Sequence, residues 1–448
     1  MTSSSVQEQK YIAMTNGSVE LLVCKMALPT MVIMMISAIY NMADTYFVGK
    51  IGTSATAGVA IVFSLMGVIQ ATGFFFGHGS GSYISRKLGE KNIDEAEYMA
   101  ATGVFLSFLF GLLFSFIGLW NLEPLAILLG ATDTILPYAK DYMRFILLAM
   151  PFMSSSLTMN NQLRLQGSAF YGMIGMISGA ILNFILDPIL IFWFDMGVAG
   201  AGLATMISQL FSFSILFIAC SQEGNIRIHI DNFRPRIKYF TEIFRGGFPS
   251  LCRQALGSIS ILALNHSAGI YGDAAIAAMS IASRSANLSF SILIGFGQGF
   301  QPVCGFNYGA KLYARVKKAF WFCVKFSTVV MSVIGLLGYT YAPEIIAFFR
   351  RDDAEVISIG ASALRYQCIA FPLLGWSTFC NMMLQTIGQA FRASVLAIAR
   401  QGLFYLPLLF IMGRFYGISG IQVSQPLADV LSFCLAIPLC LRVLKEMK

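Results

Sequence analysis

The sequence predicts an all-α integral membrane protein with twelve transmembrane helices arranged as two pseudo-symmetric six-helix bundles. Composition, the length of the apolar runs and an internal repeat predict it. Apolar residues fill 57% of the 448 positions and charged residues only 12%, with a mean hydropathy of +0.71. A soluble domain carries about a quarter charged residues, so this chain has too few to clothe a water-exposed surface. Its apolar runs approach the roughly 20 residues that a helix needs to cross the hydrocarbon core. They are continuous rather than alternating, which favours helices over barrel strands.

Turn residues and charges divide the chain into spans at 20–48, 54–84, 97–119, 138–158, 168–194, 199–220, 243–270, 275–305, 317–341, 357–380, 390–413 and 418–443. The connections alternate in charge. One side holds Arg86, Lys87 and Lys91, then Arg164, the connector from Arg227 to Lys238, the Lys311–Lys318 stretch, Arg392 and the tail from Arg442. The other holds Lys50, the Glu123–Asp133 loop, Asp195, Asp273 and the Glu344–Glu355 loop. By the positive-inside rule both termini are expected in the cytoplasm. Residues 1–18 are polar and lack the basic and apolar regions of a signal peptide, so they read as a cytoplasmic tail and the first span as a retained helix.

The two halves match at an offset of 220. Pro29 pairs with Pro249, Gly49 and Gly52 with Gly269 and Gly272, Gly77 and Gly79 with Gly297 and Gly299, and Lys91 with Lys311. After one extra residue the offset is 221, pairing Arg144, Pro151 and Gly167 with Arg365, Pro372 and Gly388. Six spans per half make these parallel repeats about an axis along the membrane normal, a design used by carriers that rock two bundles around a midplane site. The expected division is an N-lobe over 1–225 and a C-lobe over 226–448.

The repeat breaks at two acids. Asp44 stands where the second half has Leu264, and Asp187 where it has Leu408. An intramembrane carboxylate costs several kcal/mol unless paired, solvated or protonated, so both are candidate functional residues. Asn183 lies one turn before Asp187 on the same helix face. Thr205, two turns into the next span, reaches the same depth. Such oxygen donors suit a shared proton or a sodium ion; the sequence leaves the two open.

With these residues in place, the chain resembles the multidrug and toxic compound extrusion (MATE) family, in particular its DinF-like and MepA-like branch. The matching pattern is Pro29 with Asp44 fifteen residues on, Asn183-x-x-x-Asp187-Pro188, Thr205, and Gly49-x-x-Gly52 with Ala57. The resemblance spans nearly the whole chain. It implies a cation-coupled antiporter that exports amphipathic, often cationic compounds by alternating access, with H+ or Na+ as coupling ion and no other cofactor. It further implies coupling at Asp44, Asn183, Asp187 and Thr205, and bending of the first helix at Pro29. The NorM-like branch places carboxylates in the C-lobe; none is read in the C-terminal apolar spans here, which puts the coupling site in the N-lobe alone.

Met34, Gln70, Met153, Arg284 and Arg400 are candidates for the substrate cavity. Flexible thioethers suit promiscuous surfaces, and an arginine in an apolar span needs a partner or water. Arg253 poses the same question. Small residues every fourth position (Gly73, Gly77, Gly81; Ser168, Gly172, Gly175 or Gly179) suit close helix packing. Nine scattered cysteines without a C-x-x-C and three distant histidines give no metal-ligand spacing. The net charge of +8 lies in loops and forms no stripe, so the lipid bilayer and small amphipathic substrates are the expected partners, not nucleic acid. A monomer in the cytoplasmic membrane of a prokaryote is expected. An enzyme is not, since no nucleophile–base pair or H-E-x-x-H metal set appears. The alternative is a lipid-linked precursor flippase of the same superfamily, whose phosphate the intramembrane arginines would hold.

Overall fold

A computed structural model describes residues 3–350 and 353–447, with backbone alone for 3–5, 38–46 and 53. Among the described residues there are fifteen α-helices and no strand. Ten of the expected spans form α2 (Val19–Gly49), α3 (Thr53–Gly89), α4 (Ile93–Trp120), α6 (Leu136–Leu165), α7 (Ala169–Pro188), α8 (Gly197–Cys220), α9 (Ile237–Gly269), α10 (Asp273–Gly309), α11 (Tyr313–Thr340) and α13 (Ala354–Thr386). The last two spans run through α14 (Ala390–Ile398), a π turn at Ala399–Tyr405 and α15 (Leu406–Glu446). They are separated by Gly417, whose φ of 63° breaks the helix inside α15. The remaining helices, α1 (Ser3–Asn16), α5 (Leu122–Leu128) and α12 (Ala342–Phe349), lie outside the spans.

By length and composition, eight of the described helices are apolar enough to cross a membrane, the last of them covering two spans. α6, α9 and α10 fall short. In α6 the cause is visible: Ser154, Ser155, Ser156, Thr158, Asn161, Gln162 and Arg164 are all buried inside the protein, and all but Ser156 hydrogen-bond there in place of lipid contact.

The repeat is written in the backbone. Gly52 and Gly272 both take positive φ before α3 and α10, Lys91 and Lys311 both have φ of 59°, and Gly167 and Gly388 have φ of 84° and 86°. The lysines are notable, because a residue with a Cβ seldom enters the left-handed region. Each follows a helix C-terminus, where that conformation lets the next N–H reach back: Asn92 bonds the Lys87 carbonyl, and Leu312 bonds that of Asn307.

The chain forms two compact units, residues 1–17 with 28–247, and residues 18–27 with 248–448. The boundaries differ from a cut at 225/226. They fall immediately before Pro29 and Pro249, at positions 220 residues apart. The polar connector is fastened to the first unit rather than left as a linker. Gln166 Oε1 accepts from the Ile226 N–H at 2.8 Å, Thr102 Oγ1 from the Arg234 N–H at 3.2 Å, and Lys238 and Arg86 pair with Glu95 and Glu242 at 2.8 and 3.0 Å.

In the first unit, glycines set the helix spacing. A Cβ on Gly73, Gly77 or Gly81 of α3 would lie 2.6, 2.8 and 2.5 Å from Leu157, Asn161 and Leu165 of α6. Both series step by four, so one ridge runs in the groove of the other. Gly175 and Gly179 of α7 meet Leu216 and Ser212 of α8 in the same manner.

The stretch read as a tail is largely helical. α1 docks by Lys10, whose ammonium donates to Ser168 Oγ at 2.6 Å, the Gly224 carbonyl at 3.0 Å and Asn225 Oδ1 at 3.3 Å. Met14 is buried and Glu8 pairs with Lys91 at 3.0 Å. Burial pushes the Lys10 ammonium down to about 7. Undocked, it keeps its proton to its ordinary value near 10.5. Between the two the undocked state binds more protons, so docking strengthens as pH rises above about 7. Hydrogen exchange over residues 6–16, corrected for intrinsic rates, is expected to show about tenfold more protection at pH 8 than at pH 6. Lys10→Met should remove that difference.

Candidate functional site

The first unit holds a polar cluster between α7 and α8. Asn183 and Asp187 stand one turn apart on α7, 1% and 0% exposed, and Thr205 on α8 is 0% exposed. With the Asn183 amide oriented to satisfy its neighbours, its NH2 donates to Asp187 Oδ2 at 3.0 Å and its oxygen accepts from the Thr205 N–H at 3.2 Å. The amide thus ties the carboxylate to the next helix. Close approach of α7 and α8 makes this reach short: Ser212 Oγ donates to the Gly175 carbonyl at 2.9 Å.

Local sequence shapes the cluster's outer edge. Pro188 has no N–H to offer the carbonyl one turn back. α7 ends there, and a π turn over Ile189–Trp193 follows. π turns widen a helix locally and recur at functional sites. Asp187 therefore sits one residue before the regular helix ends. Asn183, Asp187 and Thr205 are brought together as their spacing predicts. The Asp44 side chain lies outside the described residues.

The other candidates are dispersed. Pro29 is buried within an uninterrupted α2. Met34 and Met153 are half-buried, whereas Gln70 and Arg284 are exposed. Asn161 bonds within its own helix, donating to the Leu157 carbonyl at 2.7 Å and accepting from Arg164 at 2.7 Å. Arg400 is not alone: its Nε donates to Asp429 Oδ1 at 2.7 Å. This corrects the expectation that the C-terminal spans lack a carboxylate, since Asp429 lies inside α15 and is 5% exposed. Its signal was an acid and an arginine in consecutive apolar spans, 29 residues apart.

Comparison with known proteins agrees with this architecture. The family described as MatE matches residues 29–189 and again 249–411, each match starting at one of the paired prolines. The chain belongs to the MatE family. The chain is 29% identical over 408 residues to a protein named multidrug export protein MepA from Staphylococcus saprophyticus, covering 90% of each. The Staphylococcus aureus protein of that name is 29% identical over 409 residues, again with 90% of each covered. A crystal structure of a MATE in the bent conformation superposes with a TM-score of 0.91 at 23% identity, covering 98% of both chains. The outward-facing conformation of a multidrug resistance MATE family transporter gives 0.90 at 23%, covering 97% of this chain and 98% of that one. The chain therefore has the multi-pass membrane fold of MatE transporters.

Proposed function

We propose that this MatE chain is a cation-coupled multidrug antiporter, loading H+ or Na+ from outside and exporting amphipathic, often cationic compounds by alternating access. The observation that carries the reading is Asp187, a fully buried carboxylate inside a membrane-spanning segment, tied by Asn183 to the neighbouring helix beside Thr205. A buried carboxylate in an apolar medium costs about 2.5–3.5 kcal/mol even on insertion scales. Binding a proton or a cation offsets that cost, and the geometry passes the change directly to α8. Asp44 is the second carboxylate of the proposed site, and Pro29 the place where α2 bends in response. The names of the MepA relatives support multidrug export as the cargo class.

The reading places the protein as a monomer in a prokaryotic cytoplasmic membrane with both termini inside. Purified protein in liposomes, followed with rhodamine 6G under separate proton and sodium gradients, tests it. Dye movement under one gradient is expected and identifies the ion. Folded protein that moves no dye under either gradient would instead favour the lipid-linked precursor flippase.

A further inference from the structure

The second unit carries two arginines within its helices, Arg253 and Arg400, and Arg400 alone pairs with a carboxylate, Asp429. Arg253 on α9 donates to Asn381 Oδ1 and Ser250 Oγ, both at 3.4 Å and both neutral. Those acceptors are themselves fixed: the Asn381 amide donates to the Ala393 carbonyl at 2.7 Å, and Gln385 donates to Ser250 at 2.8 Å. Arg400 uses only its Nε on Asp429, and Gln425 Nε2 approaches the same Asp429 oxygen at 3.1 Å. The Arg400 guanidinium carbon lies 4.3 Å from the centre of the Phe290 ring. Among the described residues, neither terminal nitrogen of Arg400 has a protein acceptor. The side chain is 22% exposed, against 5% for Asp429.

Packing alone does not call for these charges. By the 221 offset Arg400 occupies the position of Gly179, and in the last span, where Gly197 pairs with Gly417 and Gly200 with Gly420 at an offset of 220, Asp429 occupies that of Gln209 in the first unit. There the same helix contact is made without charge, a Cβ on Gly179 meeting the Ser208 carbonyl at 3.0 Å. Replacing neutral residues by a buried ion pair is rarely a gain in stability, because desolvation opposes the Coulomb attraction. Arg400 is also set on a π turn, Ala399–Tyr405, which re-aims side chains out of regular helical register.

We propose that Arg400 forms an anion subsite in the second unit that takes the paired oxygens of a carboxylate or phosphate on an apolar body. Asp429, which also accepts from Gln425, holds the Nε edge, so the end of the guanidinium is presented to two coplanar oxygens, the geometry of bidentate recognition. Phe290 covers one face of the guanidinium and supplies an apolar wall beside it. The subsite extends the proposed export of amphipathic compounds to anionic and zwitterionic ones, and it rests on that reading only for its role in transport.

The test is equilibrium binding of pyrenebutyrate and its uncharged methyl ester to the purified full chain in phosphatidylcholine nanodiscs. Wild type is expected to bind the acid at least about tenfold tighter than the ester, as a charge-assisted bidentate contact implies. Arg400→Lys should keep part of that preference. The double variant Arg400→Gln/Asp429→Asn leaves no unpaired charge, and size-exclusion and melting profiles establish that it is folded. It should bind acid and ester alike. Equal affinity for acid and ester in the wild type, or a preference that survives in the folded double variant, overturns the proposal. Adding phosphatidylglycerol separates the sources of the anion: competition with pyrenebutyrate supports a lipid phosphate at the subsite, and its absence supports a soluble anion. Dye transport is not the readout here, so failure of the subsite and failure of the export reading are told apart.

Discussion

Asp187→Asn is expected to abolish gradient-driven dye export, by at least about a hundredfold in initial rate, while the protein stays folded. The magnitude follows from the role: asparagine has nearly the shape of aspartate, but it can neither carry a transferable proton nor balance a sodium ion. Stability should not suffer. The substitution removes a charge held in a medium where charges are costly, and the Asn183 amide at 3.0 Å can donate to an amide oxygen instead. The melting temperature should therefore hold or rise, whichever ion is used. Asn183→Ala is expected to be milder, reducing export about tenfold, since removing one buried partner of a charged group costs about 1.5–3 kcal/mol. Wild-type rates for Asp187→Asn in sealed liposomes would exclude the N-lobe coupling site, whatever the fate of the dye-export reading.

Much of this fold was legible in the sequence because lipid simplifies the code. Continuous apolar runs must be helices, and turn residues with charges mark their ends, so the spans are found even where, as in α6, α9 and α10, hydropathy alone falls short. The repeat was legible because its residues serve backbone geometry. Gly52, Gly167, Gly272 and Gly388 take positive φ, and Lys91 and Lys311 share one left-handed φ although neither is a glycine. Asn183, Asp187 and Thr205 were found by spacing and depth, since an i, i+4 pair shares one helix face. What stayed hidden depends on contacts that no periodicity encodes. α1 reads as a polar tail because its docking rests on a lysine reaching Ser168, Gly224 and Asn225, far away in sequence. Asp429 was passed over because it is a single polar residue in a long apolar span, and its partner Arg400 lies in the preceding one.

Gly247→Ala is the second substitution with a large expected effect, this time on folding. In the first unit the start of α9 crosses α3 with the two backbones in contact. A Cβ on Gly247 would stand 2.1 Å from the Phe75 carbonyl oxygen and 2.8 Å from its carbon; a Cβ on Gly79 would stand 2.3 Å from the Ile243 carbonyl oxygen. Neither obstacle is a side chain that can rotate away, so the helices must separate. Overpacking a core costs about 1–3 kcal/mol when side chains can adjust, and a backbone-on-backbone clash should exceed that range. The repeat supplies a mirror in the second unit, where the Cβ of a substituted Gly299 would meet the Ala27 nitrogen at 2.4 Å. There residue 27 already has a Cβ, and the whole demand for smallness falls on Gly299. This pair of crossings explains why residues 18–27 group with the second unit and 237–247 with the first. Gly257, on the same α9 but with nothing within 4 Å of an added Cβ, is the control. Gly257→Ala should leave the melting temperature unchanged or raise it, since alanine favours a helix by about 0.8–1 kcal/mol over glycine. Gly247→Ala and Gly299→Ala should lower it sharply or yield aggregated protein on size exclusion. Equal melting of all three variants would mean that these crossings open at little cost, and that close backbone contact does not hold the leading helices in place.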